Sequence, residues 1–271
     1  MHKKIDVVII SVTILDSPLI RDFIHKYHNF FNSIYYIFTY NNETYPDDLV
    51  CSAETPYTEF IKSDLKDKCK FITRHHHQDN SLCSDWRDSC MQDFLNQSTG
   101  DYILSLEPDM ALDWDKALDI INKKPFKFMS VWRERFWPCF WLCKKELLSD
   151  LKYKTFSAFG NNIKQQANIE YNKKITYIDN KFEVIDVDEQ DYDHFNLIST
   201  QIVDKIDKND ILLLDNEDIW WEHYSGITQG YVSMVDGDDR CKKFYNRCLD
   251  YTNVDLLNIW KERSLKIINQ K

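Results

Sequence analysis

Asp101–Trp114 reads DYILSLEPDMALDW, an apolar run that ends in two carboxylates with a proline between them. Ile103, Leu104 and Leu106 suit a strand shielded on both faces, as in a parallel sheet flanked by helices. Glu107 and Asp109 stand two residues apart, so an extended backbone points both to one side. Pro108 brings no amide hydrogen to a ladder, so the strand is expected to stop there. Two carboxylates held close repel each other unless something positive lies between them. A divalent cation with oxygen ligands meets that need. A solvated acidic turn accounts for the same stretch without one.

Working outward, Ile5–Leu15 (IDVVIISVTIL) is a nearly continuous β-branched run and reads as a buried strand. Ser17 and Pro18 follow as N-cap and first helical residue. Ile20, Phe23, Ile24, Tyr27 and Phe31 then mark an amphipathic helix ending near Asn32. Ile34–Tyr40 is a second strand followed by a polar loop, NNETYPDD. Cys69–Thr73 is a third short strand. Ser84–Asn96 is a helix, with Gly100 expected as its C-terminal cap. Strand, helix, strand, strand, helix, strand describes half of a doubly wound α/β sheet. Ligands of such sheets sit beyond the carboxyl ends of the strands, where Glu107 and Asp109 fall.

Downstream, Phe128–Val131 reads as a strand. WRERFWPCFWLCKKELLSDL is expected to begin irregular and turn helical by about Lys144. Thr176–Val187 offers one or two strands, Ile211–Leu214 another, and Cys241–Asn269 a long helical tail. No linker divides the chain. The expectation is one domain over residues 1–271: a ligand-binding half to about 115, a second half over about 116–240, and a C-terminal helix over 241–271.

The bulk properties narrow the classes. The chain has 271 residues, 43% of them hydrophobic, enough for a full core. Its 34 basic and 44 acidic residues leave a net charge of −10, which argues against general nucleic-acid or anionic-membrane binding. MHKKIDVVIISVTIL reads as a first strand and not as a signal peptide, since it carries Asp6 and no small-residue cleavage site. No apolar run approaches the roughly 18 residues of a membrane span. Eight cysteines form no CxxC pair, and Cys139 and Cys143 would share one face of a helix. The expectation is a cytoplasmic protein with free thiols, in which the sequons at Asn42 and Asn96 carry no meaning.

The ordered pieces resemble a glycosyltransferase of the GT-A fold, family 2-like. Four elements carry the likeness: Thr13–Asp16 after the first strand, Tyr27-His28 at the helix end, Tyr40-Asn41-Asn42 closing the second strand, and SLEPDMAL in the place of a DxD motif. Asn41 stands where the family has Asp, and Glu107 takes the motif's first position. SLCSDWRDSC matches a segment that faces the nucleotide. The likeness covers about residues 5–115 well and the remainder weakly.

The resemblance implies an α/β, Rossmann-like, mainly parallel sheet and metal-dependent hexosyl or pentosyl transfer. The donor would be a nucleoside diphosphate sugar, a UDP-sugar first, and the acceptor a hydroxyl, foremost on a saccharide. Mn²⁺ or Mg²⁺ would bridge the diphosphate, held by Glu107, Asp109 and a late histidine. Within EDIWWEHYSGITQGY that histidine is His223, with Gly226 placed to let the backbone approach phosphate. The alternative for His223 is a histidine satisfied among Trp220, Trp221 and Tyr224. Thr13 and Asn41 would lie near the base, and Asp85 and Arg87 near the ribose, unless that helix start is merely exposed. Glu217 or Asp218 would serve as base if the enzyme inverts, with Asp188, Asp191 and Asp193 forming another acidic loop.

His75-His76-His77 is a weaker metal candidate, because neighbours on a strand point opposite ways. Trp132–Trp141 with Trp220–Tyr224 holds five of the eight tryptophans and suggests an aromatic wall for the acceptor, or core packing. Two other classes stay open. A nucleotidyltransferase shares the sheet and the carboxylates but usually has a Gly-rich basic loop that VTILDSP lacks. The other is a non-catalytic GT-A-like binding protein.

Overall fold

A computed structural model of the chain describes residues 3–11, 17–40, 56–75, 84–108, 110–132, 136–149, 173–178, 181–186, 201–214 and 218–223. Its architecture is α/β, a mostly parallel seven-stranded sheet flanked by helices. The strands are β1 (Ile5–Ser11), β2 (Ser33–Tyr40), β3 (Lys70–His75), β4 (Tyr102–Leu106), β5 (Met110–Leu112), β6 (Phe128–Trp132), β7 (Phe136–Lys144), β8 (Lys173–Ile178), β9 (Lys181–Asp186), β10 (Ile211–Leu214) and β11 (Trp221–His223). The large sheet runs β10-β6-β7-β4-β1-β2-β3. Pairs β2–β3 and β10–β6 are parallel and β6–β7 is antiparallel. Chain order reverses between β1 and β4, the switch point beside which such sheets bind ligands.

Burial follows the sequence pattern. Ile5, Val7, Val8 and Ile9 are fully buried. Successive side chains point to opposite faces, so both faces of β1 are covered. Helix α1 (Ser17–Tyr27) buries Leu19, Ile20, Phe23 and Ile24, the stripe that its three- and four-residue spacing demands. It gives way to a 3₁₀ turn, His28–Phe30, and Phe31 packs on Phe23 with ring centres 5.5 Å apart. Helix α3 spans Ser84–Gln97.

Two helices went unread in the sequence. Helix α2 (Pro56–Leu65) lies between β2 and β3, and neighbouring parallel strands cannot be joined without such a crossover. Helix α4 (Trp114–Lys123) starts at Asp113, whose side chain accepts from the Lys116 N–H, and it buries Trp114, Ala117, Leu118 and Ile121.

Two expectations are corrected. The segment from Phe136 is not irregular: it is strand β7, and the helical part is a single 3₁₀ turn, Lys145–Leu148. Cys139 to Cys143 are all buried. A spacing of four places residues on one face of a helix and equally on one face of a strand, so the cysteine pair could not decide between them. Gly100 is also not a left-handed cap. Helix α3 closes with the Ser98 N–H donating to the Phe94 carbonyl. A Cβ on Gly100 would stand 2.8 Å from Asp6 N and 3.0 Å from Lys4 O, so the glycine serves a close backbone approach.

Two interleaved compact units make up the chain: Met1–Asp6, Asp79–Ser105 and Asp113–Trp220 in one, Val7–Gln78, Leu106–Leu112 and Trp221–Lys271 in the other. In the first, Asp6 is fully buried and its Oδ2 accepts from Ser98 Oγ at 2.7 Å, Thr99 N at 2.8 Å and Gly100 N at 2.7 Å. A separate antiparallel hairpin pairs β8 with β9. In the second, β2 and β3 stack Tyr36, Phe38 and Phe71, with the Phe38 and Phe71 ring centres 5.9 Å apart.

Cys69, Cys90, Cys139 and Cys143 are buried. Burial pushes the Cys69 thiol up to about 12 and the Cys143 thiol well above its ordinary value, which holds both in the protonated form at neutral pH. Cys51, Cys83, Cys241 and Cys248 lie outside the described residues, as does the tail Cys241–Asn269. No helix among the described residues is long and apolar enough to cross a membrane.

Candidate metal centre

The opening stretch ends its strand where Pro108 requires. β4 stops at Leu106, and the Met110 N–H donates to the Glu107 carbonyl at 3.3 Å, reversing the chain with Pro108 second in the turn. β5 follows, its three residues buried. It pairs antiparallel with β11 in the register Trp221↔Leu112, Glu222↔Ala111, His223↔Met110. That register sets His223 opposite the residue that closes the turn begun by Glu107.

The outcome is a contact between residues 116 positions apart in sequence. His223 Nε2 lies 3.1 Å from Glu107 Oε2, with the His223 side chain 10% exposed and that of Glu107 23%. The imidazole is nearly enclosed while the carboxylate keeps some access to solvent. Two ligands bound to one ion at about 2.0–2.1 Å and at right angles lie roughly 2.9 Å apart. The observed separation suits one edge of such a coordination sphere. In chemistry and spacing the pair fits a divalent ion. Among the described residues no group of three or more His, Cys, Asp or Glu completes a site, and Asp109 lies outside them.

The other sequence candidates divide similarly. Thr13, Asn41, Glu217 and Gly226 lie outside the described residues, as do His76 and His77 and the acidic loop of Asp188, Asp191 and Asp193. Asp85 and Arg87 occupy the first turn of α3, and their side chains are not among those described; His75 ends β3 in the same condition. Asp218 is described and exposed, shortly before β11. Trp141 and Trp221 are core residues at 3% and 2% exposure, whereas Trp220 is 42% exposed. The side chains of Trp132 and Trp137 are outside the described set. Sequence reading missed the β5–β11 ribbon that delivers His223, because three-residue strands such as MAL and WEH show no periodicity.

No family model matches the chain, and no curated protein does. Solved structures do resemble it, and they are glycosyltransferases of GT-A type and nucleotidyltransferases. TarS from S. aureus aligns at 14% identity over 57% of this chain and 31% of that one, with a TM-score of 0.38; the chain thus spans about a third of its length. Glucosyl-3-phosphoglycerate synthase from Mycobacterium tuberculosis, in complex with Mn²⁺, UDP and phosphoglyceric acid, aligns at 8% identity over 79% of this chain and 68% of that one, TM-score 0.44. The inositol-1-phosphate CTP transferase from T. maritima aligns at 7% identity over 97% of each chain, TM-score 0.42.

Proposed function

We propose that this chain is a metal-dependent glycosyltransferase that moves a hexosyl or pentosyl group from a nucleoside diphosphate sugar, UDP-linked first, to a hydroxyl acceptor. The observation that carries the reading is the Glu107–His223 pair just beyond the end of β4, beside the switch point of the sheet. Glu107, Asp109 and His223 would hold the ion. Bound there, a divalent cation would offset the negative charge that grows on the diphosphate as the sugar–oxygen bond breaks. An imidazole ligand favours Mn²⁺ over Mg²⁺, which prefers oxygen donors and keeps its waters.

This chain's own groups then have distinct tasks. Thr13 and Asn41 would hold the base, Asp85 and Arg87 the ribose, and the backbone at Gly226 the phosphates. If the enzyme inverts, Asp218 or Glu217 would take the proton from the acceptor hydroxyl as its oxygen bonds to the anomeric carbon and the diphosphate leaves. Trp220, exposed ahead of β11, is the aromatic face available to a saccharide acceptor among the described tryptophans.

The test is release of UDP from UDP-sugars with and without Mn²⁺, beside release of pyrophosphate from a nucleoside triphosphate and a sugar phosphate. Mn²⁺-dependent UDP release, lost in Glu107→Gln and Asp109→Asn, supports the transferase. Pyrophosphate release instead makes the chain a nucleotidyltransferase. Nucleotide binding with neither release makes it a non-catalytic binding protein.

A further inference from the structure

Helices α1 and α2 meet at one carboxylate. Asp64, in the last turn of α2, accepts at Oδ2 from Arg21 Nε at 2.8 Å, from Arg21 Nη2 at 2.7 Å and from His25 Nε2 at 2.9 Å. The Arg21 side chain is 12% exposed and that of Asp64 23%. Two further ion pairs among the described residues lie within one helix each: Lys26 with Asp22 at 3.0 Å on α1, and Lys62 with Glu59 at 3.0 Å on α2. Apolar packing is divided. Ile61 and Leu65 are fully buried, but Phe60 stays 41% exposed with the Arg21 guanidinium 5.4 Å above its ring. Burial disfavours the charge on Asp64, yet the hydrogen bonds and charges of His25 and Arg21 outweigh it and hold the carboxyl below its ordinary range.

We propose that the seam between α1 and α2 is a latch held by the Asp64 carboxylate, which opens locally when that carboxylate is protonated while the core stays folded. Protonation leaves a single neutral acceptor where two cationic side chains converge, and it removes the charge assistance from both bonds. Ile61 and Leu65 keep α2 on its apolar bed, so the opening is sub-global. The latch joins the helix that follows β1 to the helix that follows β2, and of these two strands β1 borders the switch point.

Hydrogen–deuterium exchange tests this on the full chain, with helix 114–123 as internal reference and rates normalised to intrinsic exchange at each pH. At pH 7, Asp64→Asn is expected to lose protection about five- to tenfold in residues 17–27 and 56–65 together, and none at 114–123. The wild type is expected to lose protection of the same two helices progressively below pH 4 and to approach that loss by pH 2.5, with little further change in Asp64→Asn. His25→Gln, which keeps an N–H donor, should lose less than Asp64→Asn. Unchanged protection of both helices in Asp64→Asn overturns the latch, as does an equal acid loss in variant and wild type. Should Asp64→Asn fail to fold, the wild-type pH comparison decides: loss at 114–123 equal to that at the two helices means global acid unfolding and no latch.

Discussion

Asp6 and Glu107 are both acidic residues at strands of the same sheet, and their surroundings could hardly differ more. Asp6 has no exposed surface, and one of its oxygens collects a hydroxyl and two backbone N–H groups, all within 2.8 Å. Its charge is met by neutral dipoles of a tight loop, and Gly100 stands so close that no larger residue fits. Glu107 keeps partial access to solvent and faces an imidazole, a group that can carry a proton, accept one or bind a metal. A buried carboxylate oxygen that takes three fixed donors is committed to structure. One that shares space with a titratable ligand, next to solvent at a strand end, is the candidate for chemistry.

The contrast breaks most visibly at Asp6. Replacing it with Ala strips a buried loop of its acceptor and is expected to cost about 4 kcal/mol, through several buried donors left unsatisfied. Urea unfolding measures this; a loss under about 1 kcal/mol would mean that water replaces the carboxylate and that Asp6 is no structural pin. Glu107→Gln is the mirror case. Its fold stability should move by less than about 1 kcal/mol, whereas Mn²⁺-dependent turnover should fall about a hundredfold, roughly 2.7 kcal/mol of transition-state stabilisation. If Glu107→Gln lost stability and kept its activity, the two carboxylates would have exchanged roles.

Gly100→Ala sharpens the same comparison on a smaller scale. The new Cβ would meet backbone at 2.8 and 3.0 Å, and backbone of a central strand cannot swing aside as a side chain does, so about 2 kcal/mol of overpacking is expected. Thermal melting beside Asp6→Ala shows whether the two act on one feature: their double variant should cost less than the sum.

Gly100 also shows what the sequence could and could not convey. A glycine shortly after a helix invites a capping reading, since local chemistry is all that a sequence window contains. The partner that requires the glycine lies 94 residues away on β1. Long, strongly patterned elements were legible for the opposite reason. β1, α1, β2, α3 and β4 carry their instructions in their own periodicity, and the break at Pro108 is a local property of proline. β7 was lost because its four-residue spacings satisfy both periods, and α2 because the buried residues among its described side chains are just Ile61 and Leu65. At the site, Glu107 was readable from its neighbours. That His223 reaches it depends on a three-residue ribbon whose register no local pattern encodes.

The smallest effect belongs to a third carboxylate, intermediate between the two. Asp64 is partly exposed like Glu107, yet it is held by the Arg21 guanidinium and the His25 imidazole, donors that serve structure as a hydroxyl and two backbone N–H groups do at Asp6. Its carboxyl sits below the ordinary aspartate value, burial opposing the charge but His25 and Arg21 prevailing. A depressed folded-state value means the unfolded chain binds the proton more readily. The stabilisation is therefore complete above the unfolded value, near 3.9, and is lost as pH falls through the lower folded value. Part-exposed pairs are screened, so the contribution should be about 1 kcal/mol. It should vanish from the acid limb of a stability–pH curve for Asp64→Asn while its neutral plateau drops by the same amount. Because the seam contacts are absent both from a locally open state and from the unfolded chain, local and global losses must agree in size. Parallel curves for wild type and Asp64→Asn down to pH 2.5 would remove Asp64 from the acid response altogether.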